Sequence, residues 1–285
     1  MNKETIKRLL MDGNNGQYSH MIIFCDTFDY EDYPVYVKYD EDIEKIIRSK
    51  VKPGNMTKVM EIYNYNLDLN IQLNEYRAHH IEPKVKKRIH NNIFYSNDKI
   101  KKALEFATKA HINQKRKDGT PYINHPIKVA EYIRKYKESH QIDNLIISAL
   151  LHDTLEDTSV TYYEIANKFG YLVASITLEL TNDLELKKLL GKTRYLQIKM
   201  NNMTNWALDI KLCDRLSNIK DLINADSNFR EKYIIETIEI INYITNNRKL
   251  TKTQLNIISD INKVIKSLRE NKDDKFLKYL KTLKK

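Results

Sequence analysis

One stretch constrains this chain more than any other: LIISALLHDTLEDT, from Leu145 to Thr158. Six of its first seven residues are apolar, the pattern of a helix buried on every side. Four titratable side chains then follow, His152, Asp153, Glu156 and Asp157. Burying a charge without a partner costs several kcal/mol. A fold that keeps this helix inside must therefore bring partners to it. On a continuous helix His152 shares a face with Glu156, and Asp153 with Asp157. The two pairs lie about 100° apart, so all four can line one wall of a cavity.

Taken alone, a His-Asp pair describes a helix end with a hydrogen-bonded core histidine and solvated acids. Two further segments shift the balance. His125 stands in YINHP, just before Pro126 at a helix start. Asp214 stands in DIKLCDRLSNI, among Ile210, Leu212, Cys213, Leu216 and Ile219, and an acid in so apolar a helix usually has a partner. Two histidines and two aspartates from separate helices make a mixed N/O site, suited to Mn²⁺, Fe²⁺ or Zn²⁺. Four ligands leave open positions on a six-coordinate ion, and such a site activates water.

The pattern along the chain predicts a mainly α protein with a small N-terminal α+β module. In residues 1–80, HMIIFCDTF and YPVYVKY read as two strands, and DEDIEKIIRSK and NMTKVMEIYNYNLDLNIQLNEYRAHH as helices. Residues 81–95 have the polar, Pro-containing texture of a linker. Residues 96–250 are helical throughout. NDKIKKALEFATKAHINQ carries one apolar face. KRKDGTPYIN is a loop, and Asp143 is placed to cap the helix holding the opening stretch. Thr161 and Glu164 form a capping box before YYEIANKF, which Gly170 ends. Further helices fall in ITLELTN, LELKKLLGKTRYLQIKM, WALDIKLCDRLSNIKDL and REKYIIETIEIINYIT.

Residues 251–285 form a basic amphipathic helical tail. Nine Lys/Arg against three Asp/Glu over 262–285 account for most of the net charge of +10. This stripe reads as the solvated side of a helix pair closing the bundle, so no nucleic-acid face is expected, although the tail leaves RNA contact open. Two cysteines far apart, Cys25 and Cys213, read as reduced core thiols of a cytoplasmic protein. No apolar run approaches the ~20 residues of a membrane span, and no signal peptide is seen. With six glycines in 285 residues, neither GxGxxG nor a P-loop is present.

These motifs carry a family likeness. H…HD…D on a helical bundle resembles the HD-domain metal-dependent phosphohydrolases. RKDGTPYINHP (Arg116 to Pro126), ALLHDTLEDT and KLCDRLSNIKDL (Lys211 to Leu222) narrow the resemblance to the hydrolase domain of the RelA/SpoT family. TPYINHP and LLHDTLEDT are most like the small Mesh1-type single-domain (p)ppGpp hydrolases. LTNDLELKKLLGKTR sits where that family has its own helix pair. The resemblance covers Asn97 to Leu222, with the motifs in order, and leaves out residues 1–92 and the tail. Nothing resembles the synthetase domain of the large bacterial members.

The resemblance implies a guanosine-3′,5′-bis(diphosphate) 3′-pyrophosphohydrolase, with a small nucleotide as substrate and Mn²⁺ as cofactor. His125, His152, Asp153 and Asp214 match the metal ligands, and Glu156 and Asp157 the paired acids that position or deprotonate water and handle the leaving group's proton. Arg116 and Lys117 match the basic pair that meets the nucleotide, and Asn218 a polar residue near the ribose. Lys211, Arg215 and Arg194 are phosphate neighbours by the same likeness. Ser217 departs from the pattern, standing where relatives usually carry His or Tyr. Two alternatives remain: the same site acting on another phosphorylated nucleotide such as NADPH, and a non-catalytic nucleotide sensor. Residues 1–80 resemble a module attached to proteins of giant viruses, so that the cell would be a viral host's. Its tyrosines and acids offer a surface for a protein partner, and a plain small core explains them as well.

Overall fold

The computed structural model describes residues 1, 3–27, 31–52, 55–75 and 97–282. It is mainly α-helical with one small sheet. The N-terminal part runs α1 (Lys3–Gly13), β1 (Tyr18–Asp26), β2 (Asp32–Lys38), α2 (Ile43–Lys50), β3 (Thr57–Asn64) and α3 (Leu69–Glu75). Both strand pairings are antiparallel, with β1 central in the order β2-β1-β3.

Two readings of this part need correction. The run starting at Asn55 was expected to be helical, yet Thr57–Asn64 is a strand, and only Leu69–Glu75 is helical before residue 76. Its β-branched and aromatic residues fit the pleated surface against β1. The expected period of two is hidden by a bulge. Ile23 pairs with Glu61 but Phe24 with Val59, so Met60 is the extra residue. Val59 and Ile62 consequently face the same side. The expected linker, 81–95, lies outside the described residues, as does Phe28.

The sheet is apolar on both faces. Met21, Ile23 and Tyr63 pack against Ile6, Leu10 and Leu73 of α1 and α3. Ile22, Phe24, Val37, Val59 and Ile62 join Ile47 and Val51 in the same apolar cluster as the helices that follow. Polar ties cross this junction. Tyr162 Oη donates to the Val51 carbonyl at 2.9 Å, Tyr171 N to Glu44 Oε2 at 2.8 Å, and Lys58 Nζ to Glu179 Oε1 at 3.0 Å.

The helical part comprises α4 (Asp98–Ala110), α5 (Asn124–Tyr136), α6 (Ile142–Leu151), α7 (Thr154–Asp157), α8 (Tyr162–Phe169), α9 (Tyr171–Leu180), α10 (Leu184–Leu190), α11 (Lys192–Asn201), α12 (Asn205–Lys220), α13 (Ser227–Asn247) and α14 (Lys252–Thr282). The Thr161–Glu164 capping box is present, and Gly170 follows α8 at φ +100°, a backbone only glycine adopts readily. Gly191 at φ +75° splits the expected single helix over LELKKLLGKTRYLQIKM into α10 and α11.

The core helices are α5, α6 and α12. α6 buries every residue from Leu145 to Leu151, and α12 every residue from Trp206 to Ser217. Asp143 does not cap α6: it lies in the first turn and accepts a hydrogen bond from Asn97 Nδ2. The tail is one continuous helix rather than a pair, with Ile257, Ile261, Ile265 and Leu268 buried. Where the chain crosses α5, α12 and α14, Lys137 and Asp209 form a buried ion pair at 3.1 Å. No helix among the described residues is long and apolar enough to cross a membrane.

Candidate metal centre

The opening stretch is not one helix. α6 ends at Leu151, His152 and Asp153 occupy a break, and α7 restarts at Thr154. Thr154 Oγ1 donates to the Leu151 carbonyl at 2.7 Å, local back-bonding that bends a helix. The break leaves part of the expected common wall: Asp153 and Asp157 share the Tyr122 hydroxyl, while Glu156 bonds Asn182. His152 and Asp153 turn inward, and Glu156 and Asp157 diverge.

Three ligand atoms, from His125, His152 and Asp214, lie within 4.8 Å of one another and are buried. His125 enters from the first turn of α5, where Pro126 needs no amide partner. Its Nε2 is 3.1 Å from Asp214 Oδ1, and its Nδ1 is 3.2 Å from Ser217 Oγ. His152 Nδ1 is 2.8 Å from the Ala149 carbonyl, a contact only N–H can make, so Nε2 is the nitrogen left to face the cluster. That buried Nε2 has no aligned hydrogen-bond partner, although Asp153 Oδ2 stands 2.9 Å away. The same Asp153 oxygen is 4.0 Å from His125 Nε2, which sets this half-buried carboxylate beside the three-residue cluster. A buried imidazole nitrogen without an aligned hydrogen bond, facing two carboxylates and a second imidazole, fits a divalent cation.

Charge around the cluster is strongly coupled. Burial raises the Asp153 carboxyl, but His152 beside it outweighs burial and holds it well below the usual range. For Asp214 burial again opposes ionisation, and Lys211, at 3.0 Å, with His125 reverses it. Asn218 Nδ2 also donates to Asp214, at 2.6 Å.

Tyr122 was not singled out from the sequence, although it stands three residues before His125. Its hydroxyl donates to Asp153 Oδ2 at 2.7 Å and reaches Asp157 Oδ2 at 3.4 Å. Burial, then Asp153, push that hydroxyl far up, so it remains a donor. Asp157 is exposed, and its carboxyl is raised by burial and by the charges of Asp153 and Glu156. Ser217, marked in the sequence as a departure from the family pattern, stands three residues after Asp214 on α12 and contacts His125. Asn182 was not singled out, and no local signal marks it.

Glu156 faces away from the cluster. Asn182 donates to it from the backbone at 3.0 Å and from Nδ2 at 3.1 and 2.9 Å. The basic residues divide similarly. Arg116 donates to Asn218 Oδ1 at 2.9 Å and pairs with Asp221 at 3.0 Å, which ties the 116–121 loop to α12. Lys117 Nζ sits 3.8 Å from the centre of the Phe229 ring. Lys211 faces Asp214. Arg215 turns to Glu236 at 3.1 Å and Thr237 at 2.9 Å, and Arg194 lies over Tyr243. Neither guanidinium contacts a proposed ligand.

Residues 103–249 match the family described as HD domain. The human protein named guanosine-3′,5′-bis(diphosphate) 3′-pyrophosphohydrolase MESH1 is 41% identical over 123 residues, covering 42% of this chain and 67% of that protein. The Aquifex aeolicus protein named guanosine-3′,5′-bis(diphosphate) 3′-pyrophosphohydrolase is 39% identical over 152 residues, 50% of this chain but only 20% of its own length. The solved structure described as "A metazoan ortholog of SpoT hydrolyzes ppGpp and plays a role in starvation responses" shares the fold at a TM-score of 0.52 and 24% identity, covering 61% of this chain and 97% of that one.

Proposed function

The chain belongs to the HD-domain family, with Mesh1-type proteins among its relatives, and on that premise we propose that it is a guanosine-3′,5′-bis(diphosphate) 3′-pyrophosphohydrolase. The observation that carries the reading is the buried cluster of His125, His152 and Asp214, with Asp153 beside His152 at 2.9 Å, inside the segment that resembles proteins of that name.

His125, His152, Asp153 and Asp214 would hold Mn²⁺. When bound, the ion supplies a lowered water pKa and a positive charge beside the phosphoryl oxygens. The chain's own groups do the rest. Asp157, raised toward the range where a carboxylate is an effective base, accepts the proton of the attacking water. Oxygen bonds to phosphorus, the bond from phosphorus to the ribose 3′ oxygen breaks, and that oxygen takes up the proton Asp157 received as pyrophosphate leaves, which returns Asp157 to its carboxylate form. GDP or GTP remains.

Tyr122 keeps Asp153 and Asp157 in register by bonding both. Lys211 keeps Asp214 ionised before any cation arrives. Arg116 and Lys117 offer a planar fork and a point charge to the nucleotide, with Asn218 beside the ribose. Arg215 and Arg194 act at longer range, as part of the positive field over α11 and α12.

Incubation with ppGpp and Mn²⁺, with Asp153→Ala as control, tests the reading by released pyrophosphate and GDP. Turnover that vanishes in the variant supports it. Cleavage of NADPH but not ppGpp moves the substrate, and tight nucleotide binding without turnover makes the site a sensor.

A further inference from the structure

We propose that Glu156 is a positioning residue that acts through Asn182 and takes no proton in the reaction; the inference rests on the hydrolase reading above. Its place in the sequence, beside Asp157, suggests a second acid. Its contacts suggest otherwise. All hydrogen bonds to its carboxylate among the described residues come from Asn182, one from the backbone amide and two from Nδ2. Carboxylate acceptors of this kind make charge-assisted bonds, about twice as strong as neutral ones.

What Asn182 belongs to explains why such a grip is needed. Thr181, Asn182 and Asp183 form the turn between α9 and α10, and each is fastened by a different side chain. Lys199 Nζ donates to the Thr181 carbonyl at 2.5 Å, Glu156 holds Asn182, and Tyr195 Oη accepts the Asp183 amide at 2.6 Å. α10 itself buries no residue, and Leu184 and Leu189 are 64% and 78% exposed. With no buried residue to anchor it, α10 lies beside α11 and is fastened at its N-terminal end by this turn. Glu156 therefore ties the position of the turn and of α10 to α7, one helical turn from Asp153. Both carboxylate oxygens are engaged by the two nitrogens of Asn182, which fixes the orientation of Glu156 toward the turn.

The test is an exchange of roles across the pair. Glu156→Gln loses an acceptor, and Asn182→Asp sets two carboxylates face to face. Each single change is expected to lower kcat/KM about tenfold, the scale of one lost charge-assisted bond. The shape of the pH–rate profile stays that of the wild type. The double variant Glu156→Gln/Asn182→Asp restores a donor facing a carboxylate and returns activity to within about threefold, a coupling that only interacting residues show. The proposal is overturned if Glu156→Gln falls by about a hundredfold or more with a lost limb in its pH profile, as removal of an acid or base demands, and Asn182→Asp gives no rescue.

Amide exchange at residue 182 reads the same contact without substrate. It should quicken about tenfold in Glu156→Gln, where the single carbonyl oxygen of Gln must serve both the amide and Asn182 Nδ2, and slow again in the double variant, where the residue-182 carboxylate accepts from the Gln NH2 and leaves that oxygen to the backbone amide. If the wild type cleaves no ppGpp, the hydrolase reading fails on its own. Exchange then decides the grip, and an unchanged rate in Glu156→Gln overturns it. Thermal melts of all variants identify any that fail to fold.

Discussion

The four proposed ligands and the basic pair proposed to meet the nucleotide belong to one reaction but live under different physics. The side chains of His125 and His152 are 2% and 1% exposed, and each is fixed by a second contact, Ser217 for one and the Ala149 carbonyl for the other. Arg116 is 22% exposed on a loop, and Lys117 reaches only an exposed aromatic ring. In the cluster, chemistry and stability are the same interactions, because an unpaired buried charge is costly. At the rim they separate, because water can replace a lost partner.

The sharpest way to break that contrast is Asp214→Ala. It leaves the Lys211 ammonium and His125 without their carboxylate. We expect pyrophosphate release to fall to background, and stability to drop by ~3–5 kcal/mol, the cost of stranding a buried partner; denaturant melts beside the assay measure both. Asp157→Asn comes next, with activity down by ~10²–10⁴ for a lost acid–base group and the fold intact.

The same residue predicts a pH signature. Asp157 has a folded pKa raised above its unfolded value, so its contribution to stability is present at low pH and lost as pH rises through the raised value. Asp157→Asn should remove that component of the decline in Tm above the ordinary carboxylate range. A Tm that falls identically with pH in both proteins would break the assignment. Ser217→Ala tests whether the cluster needs its outer support: Mn²⁺ titration should show affinity lowered ~10–100-fold, typical of lost second contacts to a ligand. Arg116→Ala should raise KM about tenfold with Tm nearly unchanged, and Lys117→Ala less, since rim contacts add binding without burial. A large loss of stability in either would erase the contrast.

Much of the cluster was legible in the chain because its signals are local. A proline after His125, an apolar run before His152 and an apolar helix around Asp214 each mark a buried polar group. The break at His152–Asp153 was not legible, since Thr154 bends the helix by a back-bond that an apolar pattern does not reveal. The partition of Glu156 from Asp157 follows from that break and from Asn182, which is 26 residues away from Glu156. In the sheet, burial of both faces erased the polar alternation that marks a strand, and the bulge at Met60 shifted what remained. Capping signals fared better: Thr161, Glu164 and Gly170 do what short-range hydrogen bonding dictates.

The shared apolar cluster also bears on how such a chain can change over generations. A sheet whose Ile22, Phe24 and Val59 complete the core over α9 is not a bead on a string. Its loss would bare a contiguous apolar face and leave the Tyr162 hydroxyl and the Tyr171 amide without their partners at once. Acquiring or discarding the N-terminal sheet would therefore require matched substitutions on the helical side, so the two parts are bound to a common history of mutation even where only the helices resemble other proteins.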